Sequence, residues 1–272
     1  MSYTYKPVEE LTLTDDFMFG YIMKQEEYCK PILELLLGFK IRKLEYTELQ
    51  KSIAPFYESK GVRLDVYVKD SGKVYDIEIQ TSSRDDLSKR SRFYQSAIDM
   101  DNLAKGEDYE TLPESFVLFI CTFDPFGKGL PKYTFENLCV EDKAMELGDM
   151  THKVFYNINA YREIKDPDSR ALVQYLKTKQ PTTDFTRNLD DGVERTKIIN
   201  SFKESYLLFN MHDRDTLKRG REEGIKEANE RNALNMLDHS LSLAVISECT
   251  GLSLEEIRGI AEKNGIQIKD GL

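Results

Sequence analysis

The sequence contains little of the material from which several common kinds of active site are built. Its 272 residues include only three histidines, His152, His212 and His239, which lie far apart. The four cysteines are equally dispersed, with no C-x-x-C pair and no neighbouring histidine to complete a zinc site. Sites made of paired histidine ligands or of a Cys–His dyad are therefore disfavoured, and carboxylate chemistry is favoured.

Charge and hydropathy exclude two further classes of protein. The chain has 38 Lys and Arg against 48 Asp and Glu, a net charge of -10. This excludes a generally basic nucleic-acid coat, so contact with nucleic acid needs a local basic face and a metal ion. The apolar run at 31–38 is far shorter than the ~20 residues of a membrane-spanning helix. Without a secretory signal pattern, and with dispersed cysteines, the sequence predicts a cytoplasmic protein with no membrane partner.

The spacing of hydrophobic residues predicts the order of secondary structure. Strands are indicated by alternation or by continuous apolar runs, and helices by an apolar repeat of three and four residues. A long helix between two strands is typical of a crossover, which predicts a mixed sheet with helices packed on it. The predicted elements are one or two helices in 12–38, a strand or extended connection at 41–49, hairpin strands 62–68 and 74–79, a helix at 84–105 capped by Gly106, a buried strand at 115–123, and helices at 166–179 and 188–210.

Acidic residues lie on one face of the predicted hairpin. Because side chains alternate along a strand, Asp65 of the first strand and Asp76 and Glu78 of the second lie on the face opposite the valines and isoleucines. Such a face holds a metal ion, or it is a solvated outer face on which Arg63 balances Glu78.

The length of the hairpin loop decides which acids meet. With a two-residue loop at 71–72, Asp65 lies across from Glu78. With a longer loop at 69–72, Asp65 faces Asp76 and Glu78 is its diagonal neighbour. Opposed like charges cost up to ~1 kcal/mol per pair. A divalent cation reverses that sign, and Mg²⁺ typically takes one or two carboxylates together with substrate phosphate oxygens.

Several spaced stretches carry a resemblance to one family. They are 62–70 followed by 74–80, together with 14–19, 89–95, 106–109 and 119–126. In combination they resemble the PD-(D/E)XK nuclease superfamily, in its recombination-promoting nuclease and putative transposase branch, over residues 11–180. The resemblance implies an α/β fold with a restriction-endonuclease-like mixed sheet, an αβββαβ core flanked by helices. The predicted order of elements agrees with that core.

The resemblance also implies roles for the hairpin residues. Asp65 corresponds to the aspartate of the motif and Glu78 to the acid of E-x-K, which makes both ligands of Mg²⁺ or of another divalent cation such as Mn²⁺ or Ca²⁺. Gln80 stands where the motif usually has lysine. A glutamine can position the attacking water by hydrogen bonding, but it carries no charge to offset the charge that develops in the reaction.

Further candidates lie on the predicted helices. The superfamily has another acid on its first helix, for which Glu34 is the candidate and Asp16, which also suits a helix cap, the alternative. Gln95 resembles the active-site glutamine of related nucleases or is an ordinary surface amide. Four cations at the start of the following helix either hold the phosphate backbone or form a solvated face; they are Arg84, Lys89, Arg90 and Arg92.

Together these features predict a metal-dependent DNA endonuclease that hydrolyses phosphodiester bonds with low sequence specificity, associated with DNA recombination or transposition. The alternative is a catalytically weak or inactive nuclease-fold protein that acts as a DNA-binding or oligomeric scaffold. Gln80 favours the alternative, and the intact pair of Asp65 and Glu78 opposes it.

The remainder of the chain forms a predicted helical C-terminal extension. We divide the sequence into a nuclease-like domain (1–180), a helical extension with a charged linker (181–231) and a small tail resembling a helix-turn-helix (232–272). Segment 213–231 has six acids and six bases, which is typical of a solvated helix. In the tail the position that reads bases holds Glu255 and Glu256, which disfavours DNA contact and favours a homo-oligomer formed through these helices.

Truncation before Asp213 tests the predicted role of the tail. The apolar residues of the tail are better buried against a second copy or against the rest of the chain than alone. We expect the truncated protein to have a lower molecular mass by light scattering and an unchanged rate of DNA cleavage per active site. An unchanged mass together with lost DNA binding would contradict this prediction.

Overall fold

The computed structural model describes residues 5–53, 62–83 and 86–266. Arg84, one of the cations predicted to hold phosphate, and the side chain of Arg63 lie outside the described part. The chain divides into two compact units, one of residues 6–203 and one of residues 204–272 with the first five residues. The domain boundaries at residues 180 and 231 stay predictions.

A six-stranded sheet forms the centre of the first unit, in the order β1-β2-β3-β4-β6-β5. Strands β3, β4 and β6 run parallel to one another, and the other pairs are antiparallel. The sheet is therefore mixed, as predicted. The strands are β1 (Tyr46–Ile53), β2 (Val62–Asp70), β3 (Lys73–Gln80), β4 (Glu114–Cys121), β5 (Lys132–Phe135) and β6 (Thr151–Asn157).

Helices cover both faces of the sheet. Three 3₁₀ segments, Val8–Glu10, Tyr109–Thr111 and Ile158–Glu163, lie between longer elements. No helix in the described part of the chain has the length and apolarity to cross a membrane. The α-helices are α1 (Asp16–Met23), α2 (Glu26–Leu37), α3 (Leu87–Asn102), α4 (Pro167–Thr178), α5 (Asp184–Ile198), α6 (Asn200–Asp238), α7 (Leu243–Thr250) and α8 (Leu254–Lys263).

Hydrogen bonds show which helices share a face. Helix α3 reaches β4 through Gln95, whose side chain donates to Ser115. On the other face, the Tyr156 hydroxyl of β6 donates to the carbonyl of Leu36 in α2. The Ser169 hydroxyl of α4 donates to the carbonyl of Leu35, also in α2. The order α2, β1, β2, β3, α3, β4 confirms the αβββαβ core of the restriction-endonuclease-like fold.

The turn between β2 and β3 fixes the register of the hairpin. It consists of residues 71–72, and its glycine has a φ of +87°, a left-handed conformation that glycine adopts without steric cost. Pairing runs outward from this turn, so that Val66 lies opposite Ile77. Asp65 and Glu78 are the next residues outward. The register predicted for the two-residue loop is confirmed, and the longer loop is wrong.

Helix α3 differs from its prediction in its end and in its buried face. It ends at Asn102, and Gly106 lies beyond it in a later turn instead of capping it. Phe93 and Met100, members of the predicted apolar stripe, are 41% and 51% exposed. The face that packs on the sheet is partly polar, because hydrogen-bonded side chains take part in it. It consists of Leu87, Ser91, Gln95, Ala97 and Ile98.

The second half of the chain contains strands and a break that the sequence pattern did not reveal. Strands β5 and β6 were not predicted, since β5 has only four residues and β6 begins with three half-buried ones. The single helix predicted at 188–210 is wrong. The extended conformation of Ile199 ends α5 before α6 begins.

The second unit has a small core of its own. It includes the end of α6 and helices α7 and α8, with Gly251 in a left-handed conformation between the last two. Helix α8 begins with a capping box in which the Ser253 and Glu256 side chains each bond the other's backbone. The buried core residues are Ala233, Leu237, Ile246, Leu252, Ile257 and Ala261.

Ile257→Ala should unfold this small core. Ile257 is fully buried, and removing such a side chain costs ~2–5 kcal/mol, comparable to the whole stability of so small a unit. We expect amide hydrogen exchange to lose its protection across residues 233–266. Leu254→Ala, on the same helix but 48% exposed, is the matched control and should keep that protection. Equal protection in the two variants would contradict the prediction.

Candidate active site

The candidate site lies on strand β3. Its hairpin partner β2 lies beside it in the sheet, and helix α3 packs on the face of the sheet above it. Asp76, Glu78 and Gln80 are alternate residues of β3, so they share the face on which α3 packs. Strand β2 adds Asp65 from one side, and α3 adds Arg90 from above. All three residues of β3 are buried, which is unusual for such polar side chains.

Two adjacent buried carboxyl groups dominate the electrostatics of the site. Asp76 is 0% exposed and Glu78 is 3% exposed. Within the described residues, no backbone N–H and no basic side chain donates a hydrogen bond to Asp76; its hydrogen-bonding neighbour is the carboxyl group of Glu78. Burial raises the pKa of Asp76 well above its ordinary value, and the negative charge of Asp65 adds to the effect. Burial likewise raises the pKa of Glu78, with a further contribution from Asp76.

Glu78 joins the two strands to the helix. Its Oε1 atom accepts a hydrogen bond from the backbone N–H of Asp65 at 2.8 Å. Its Oε2 atom lies 3.7 Å from Nη2 of Arg90. Asp65 and Glu78 therefore lie opposite each other on the hairpin, as predicted for the two-residue loop.

The amide of Gln80 is held at both ends. Its Nε2 atom donates to the backbone carbonyl of Ser82 at 2.6 Å and lies 3.3 Å from the hydroxyl of the same residue. Its Oε1 atom accepts a hydrogen bond from Nη1 of Arg90 at 2.8 Å. The prediction that Gln80 positions an attacking water remains a prediction, and these contacts do not support it.

Arg90 is the cation of the site. Its Nη2 atom donates to the Tyr94 hydroxyl at 2.9 Å, and its guanidinium lies 5.3 Å from the centre of the Tyr94 ring and 5.7 Å from that of Phe119. Hydrogen bonds and ring contacts therefore hold the guanidinium over β3. Lys89 and Arg92 are exposed.

The two candidates for an additional acid lie on different helices. The carboxylate of Glu34 accepts hydrogen bonds from Lys40 at 2.7 Å and from the backbone N–H of Ile41 at 2.9 Å. Although burial opposes it, this pairing lowers the pKa of Glu34. These contacts close the turn after α2 and include none of the hairpin acids. The alternative of Asp16 as a helix cap is wrong, because Asp15 occupies the N-cap position and Asp16 is the first residue of α1, which packs against β1 and β2. The choice between Glu34 and Asp16 stays open.

Gln95 is buried, so the alternative of an ordinary surface amide is wrong. Its amide nitrogen donates to Ser115 at 2.6 Å and to Asp99 at 3.1 Å. On β4, Ser115 is two residues before the partner of Asp76 and four before the partner of Glu78, which corresponds to roughly 7 and 13 Å along a strand. The active-site role predicted for Gln95 is not supported by these contacts and stays a prediction.

The residues of the hairpin fit a divalent cation. The described residues contain no group of three or more His, Cys, Asp or Glu side chains already arranged around one point. Mg²⁺ needs no such group, because it binds through one or two carboxylates and completes its shell with water and phosphate oxygens. Asp76 is a buried carboxyl group whose hydrogen-bonding neighbour is a second acid, Glu78, and a cation would offset the charge of this pair. Asp65, Asp76 and Glu78 are the carboxyl groups on this face.

Two residues of this site were absent from the predicted set. Asp76 is two residues before Glu78 on the same strand, so the alternation of side chains placed both on one face. The motif, however, assigns no role to the position of Asp76. Arg90 was grouped with three other cations at the start of a helix. Nothing in the sequence distinguished it, because the face of α3 that packs on the sheet is set by tertiary contacts.

The comparison with known families agrees with this geometry. The model of the PD-(D/E)XK nuclease family transposases matches residues 13–227. The chain therefore belongs to the PD-(D/E)XK nuclease family transposases. No curated protein and no solved structure matches it.

Asp76→Asn should stabilise the metal-free protein. Because burial raises the pKa of Asp76 on folding, its charge destabilises the folded state increasingly as pH rises from the unfolded carboxyl value through the folded one. This loss of folding stability is absent at low pH, where Asp76 is protonated in both states, and present at neutral pH. We expect the variant in EDTA at neutral pH to gain about 1 kcal/mol, roughly 2–4 °C in Tm.

Asp191→Asn is the matched control for this measurement. Asp191 is exposed on α5, so the same chemical change there should leave Tm unaltered. Mg²⁺ should raise the Tm of the wild-type protein more than that of Asp76→Asn, because the variant has lost a ligand charge. A variant less stable than wild type in EDTA would contradict the prediction.

Proposed function

We propose that the protein is a metal-dependent DNA endonuclease that hydrolyses phosphodiester bonds with low sequence specificity, in the setting of DNA recombination or transposition. The observation that carries the proposal is the buried pair of Asp76 and Glu78 beside Asp65. A bound divalent cation would offset the negative charge of these three acids. Membership of a nuclease family supports DNA as the substrate.

The side chains of the hairpin would hold Mg²⁺, Mn²⁺ or Ca²⁺. Asp65 and Glu78 are the ligands implied by the motif, and Asp76 adds a third carboxylate on the same face. When bound, such an ion lowers the pKa of a water molecule and offsets negative charge on the phosphate. Glu78 is fixed in position by the Asp65 backbone, so its carboxylate needs little rearrangement to act as a ligand.

Exposed residues supply the contacts to DNA in this proposal. Lys89 and Arg92 lie on α3, the helix that also carries Arg90, and can reach phosphate oxygens without reading bases. At the start of α8, Glu255 and Glu256 disfavour a DNA contact by the tail. We propose that the tail serves assembly into a homo-oligomer and that the protein acts in the cytoplasm.

One observation favours a second candidate function, a weakly active or inactive scaffold that binds DNA. Both ends of the Gln80 amide are engaged by Arg90 and Ser82. Ser82 uses the donors of the amide and Arg90 one of the two acceptor positions of its oxygen, which reduces the capacity of Gln80 to orient a water molecule. If the attacking water needs a hydrogen bond from the side chain at position 80, the hydrolysis step is slow.

Cleavage of plasmid DNA distinguishes the two functions. In Mg²⁺ or Mn²⁺ we expect nicking by the wild-type protein that EDTA abolishes. Asp65→Asn and Glu78→Gln should each lower the rate on the order of 10²-fold or more, because each removes a charged ligand of the ion that offsets negative charge on the reacting phosphate. Asp191→Asn, with the same chemical change on an exposed helix, should cleave normally.

The result can also favour the scaffold. DNA binding in a mobility-shift assay, together with no cleavage by the wild-type protein in any of Mg²⁺, Mn²⁺ and Ca²⁺, would support it. Cleavage by Asp65→Asn at the wild-type rate would show that the metal ligands are assigned wrongly.

A further inference from the structure

The site contains a cation close to the position where the motif expects one. The usual lysine two residues after the motif acid is replaced by Gln80. Nη1 of Arg90 lies 2.8 Å from Oε1 of Gln80, and Nη2 lies 3.7 Å from Oε2 of Glu78. The guanidinium therefore occupies the space next to the motif acid, although it comes from a different element of the fold.

The surroundings of Gln80 select an arginine. Because its amide nitrogen donates to Ser82, its oxygen is the end that faces α3. That oxygen is an uncharged acceptor, so it orients the guanidinium without adding a negative charge to the one that Glu78 already places 3.7 Å away. Glutamine is thus matched to a neighbouring cation in a way that a second cation, lysine, is not.

Arg90 is also held rigidly. Its hydrogen bond to the Tyr94 hydroxyl and the rings of Tyr94 and Phe119 confine the guanidinium, whose side chain is 23% exposed. A planar guanidinium held in this way keeps further N–H donors, which can form charge-assisted hydrogen bonds with phosphate oxygens. A preorganised charge of this kind stabilises a developing negative charge without reorganising first.

We propose that Arg90 supplies from α3 the positive charge that the motif lysine supplies elsewhere in the superfamily, and that Gln80 is a positioning residue that orients it. This inference rests on the proposed nuclease function. In this inference Arg90 contacts the scissile phosphate, and its N–H groups stabilise the negative charge that develops on the phosphate oxygens. It also gives Gln80 a function that does not require contact with water.

Three variants test the inference. Arg90→Gln removes the charge, and Arg90→Lys keeps the charge without the planar donor set. The double variant Gln80→Lys with Arg90→Gln places a cation on β3 in the motif position. Arg170→Gln is the matched control, since Arg170 is exposed on α4, a helix on the sheet face opposite α3. Thermal unfolding monitors folding, and titration calorimetry with Mn²⁺ monitors the metal ligands.

We expect Arg90→Gln to lower kcat for DNA cleavage about 10²-fold. Its affinity for Mn²⁺ should be unchanged or higher, because a cation near Glu78 has been removed. The double variant should recover about tenfold over Arg90→Gln, and Arg90→Lys should lie between Arg90→Gln and wild type. If Arg90→Gln does not fold, the rates of Arg90→Lys and of the double variant decide the question.

Other outcomes overturn the inference in distinguishable ways. Wild-type cleavage by a folded Arg90→Gln protein would overturn the role of Arg90 and leave the nuclease proposal intact. Equal losses in all three variants, accompanied by weaker Mn²⁺ binding, would make Arg90 a structural anchor only. If the wild-type protein shows no metal-dependent cleavage, the proposed function fails, and this inference fails with it.

Discussion

The burial of Asp76 and Glu78 next to each other on β3 is the constraint on which the rest of the site depends. Two carboxyl groups in a dry environment cannot both be charged unless a positive charge is near. The fold meets this need in two places. The hairpin brings the backbone N–H of Asp65 to Glu78, and α3 brings Arg90. Both of these groups contact Glu78 and neither donates a hydrogen bond to Asp76. A bound divalent cation would offset the charge of Asp76 as well.

The role of α3 follows from the same constraint. A helix that packs on an acidic strand cannot present a wholly apolar face to it. Helix α3 instead uses Ser91 and Gln95 where it crosses the sheet and Arg90 where it meets the acids. The helix therefore serves the core and the site together, and its exposed Phe93 and Met100 take no part in either.

The sequence was sufficient for the features set by local chemistry. Alternation placed Asp65, Asp76 and Glu78 on one face. It left two hairpin registers open, and the structure selects the one with the two-residue loop. Features set by distant contacts were not predictable in this way. The buried face of α3, and with it the place of Arg90, depends on which strand it meets, and the break at Ile199 interrupts a pattern that reads as continuous helix.

The two-residue turn at 71–72 ties the site to one pairing of β2 with β3. Because side chains alternate along a strand, a slip of this pairing by one residue would invert the face that one strand presents relative to the other. Asp65 and Glu78 would then no longer share a face. A longer turn is compatible with the site only where a wider loop or a bulge takes up the added residue and the pairing is kept.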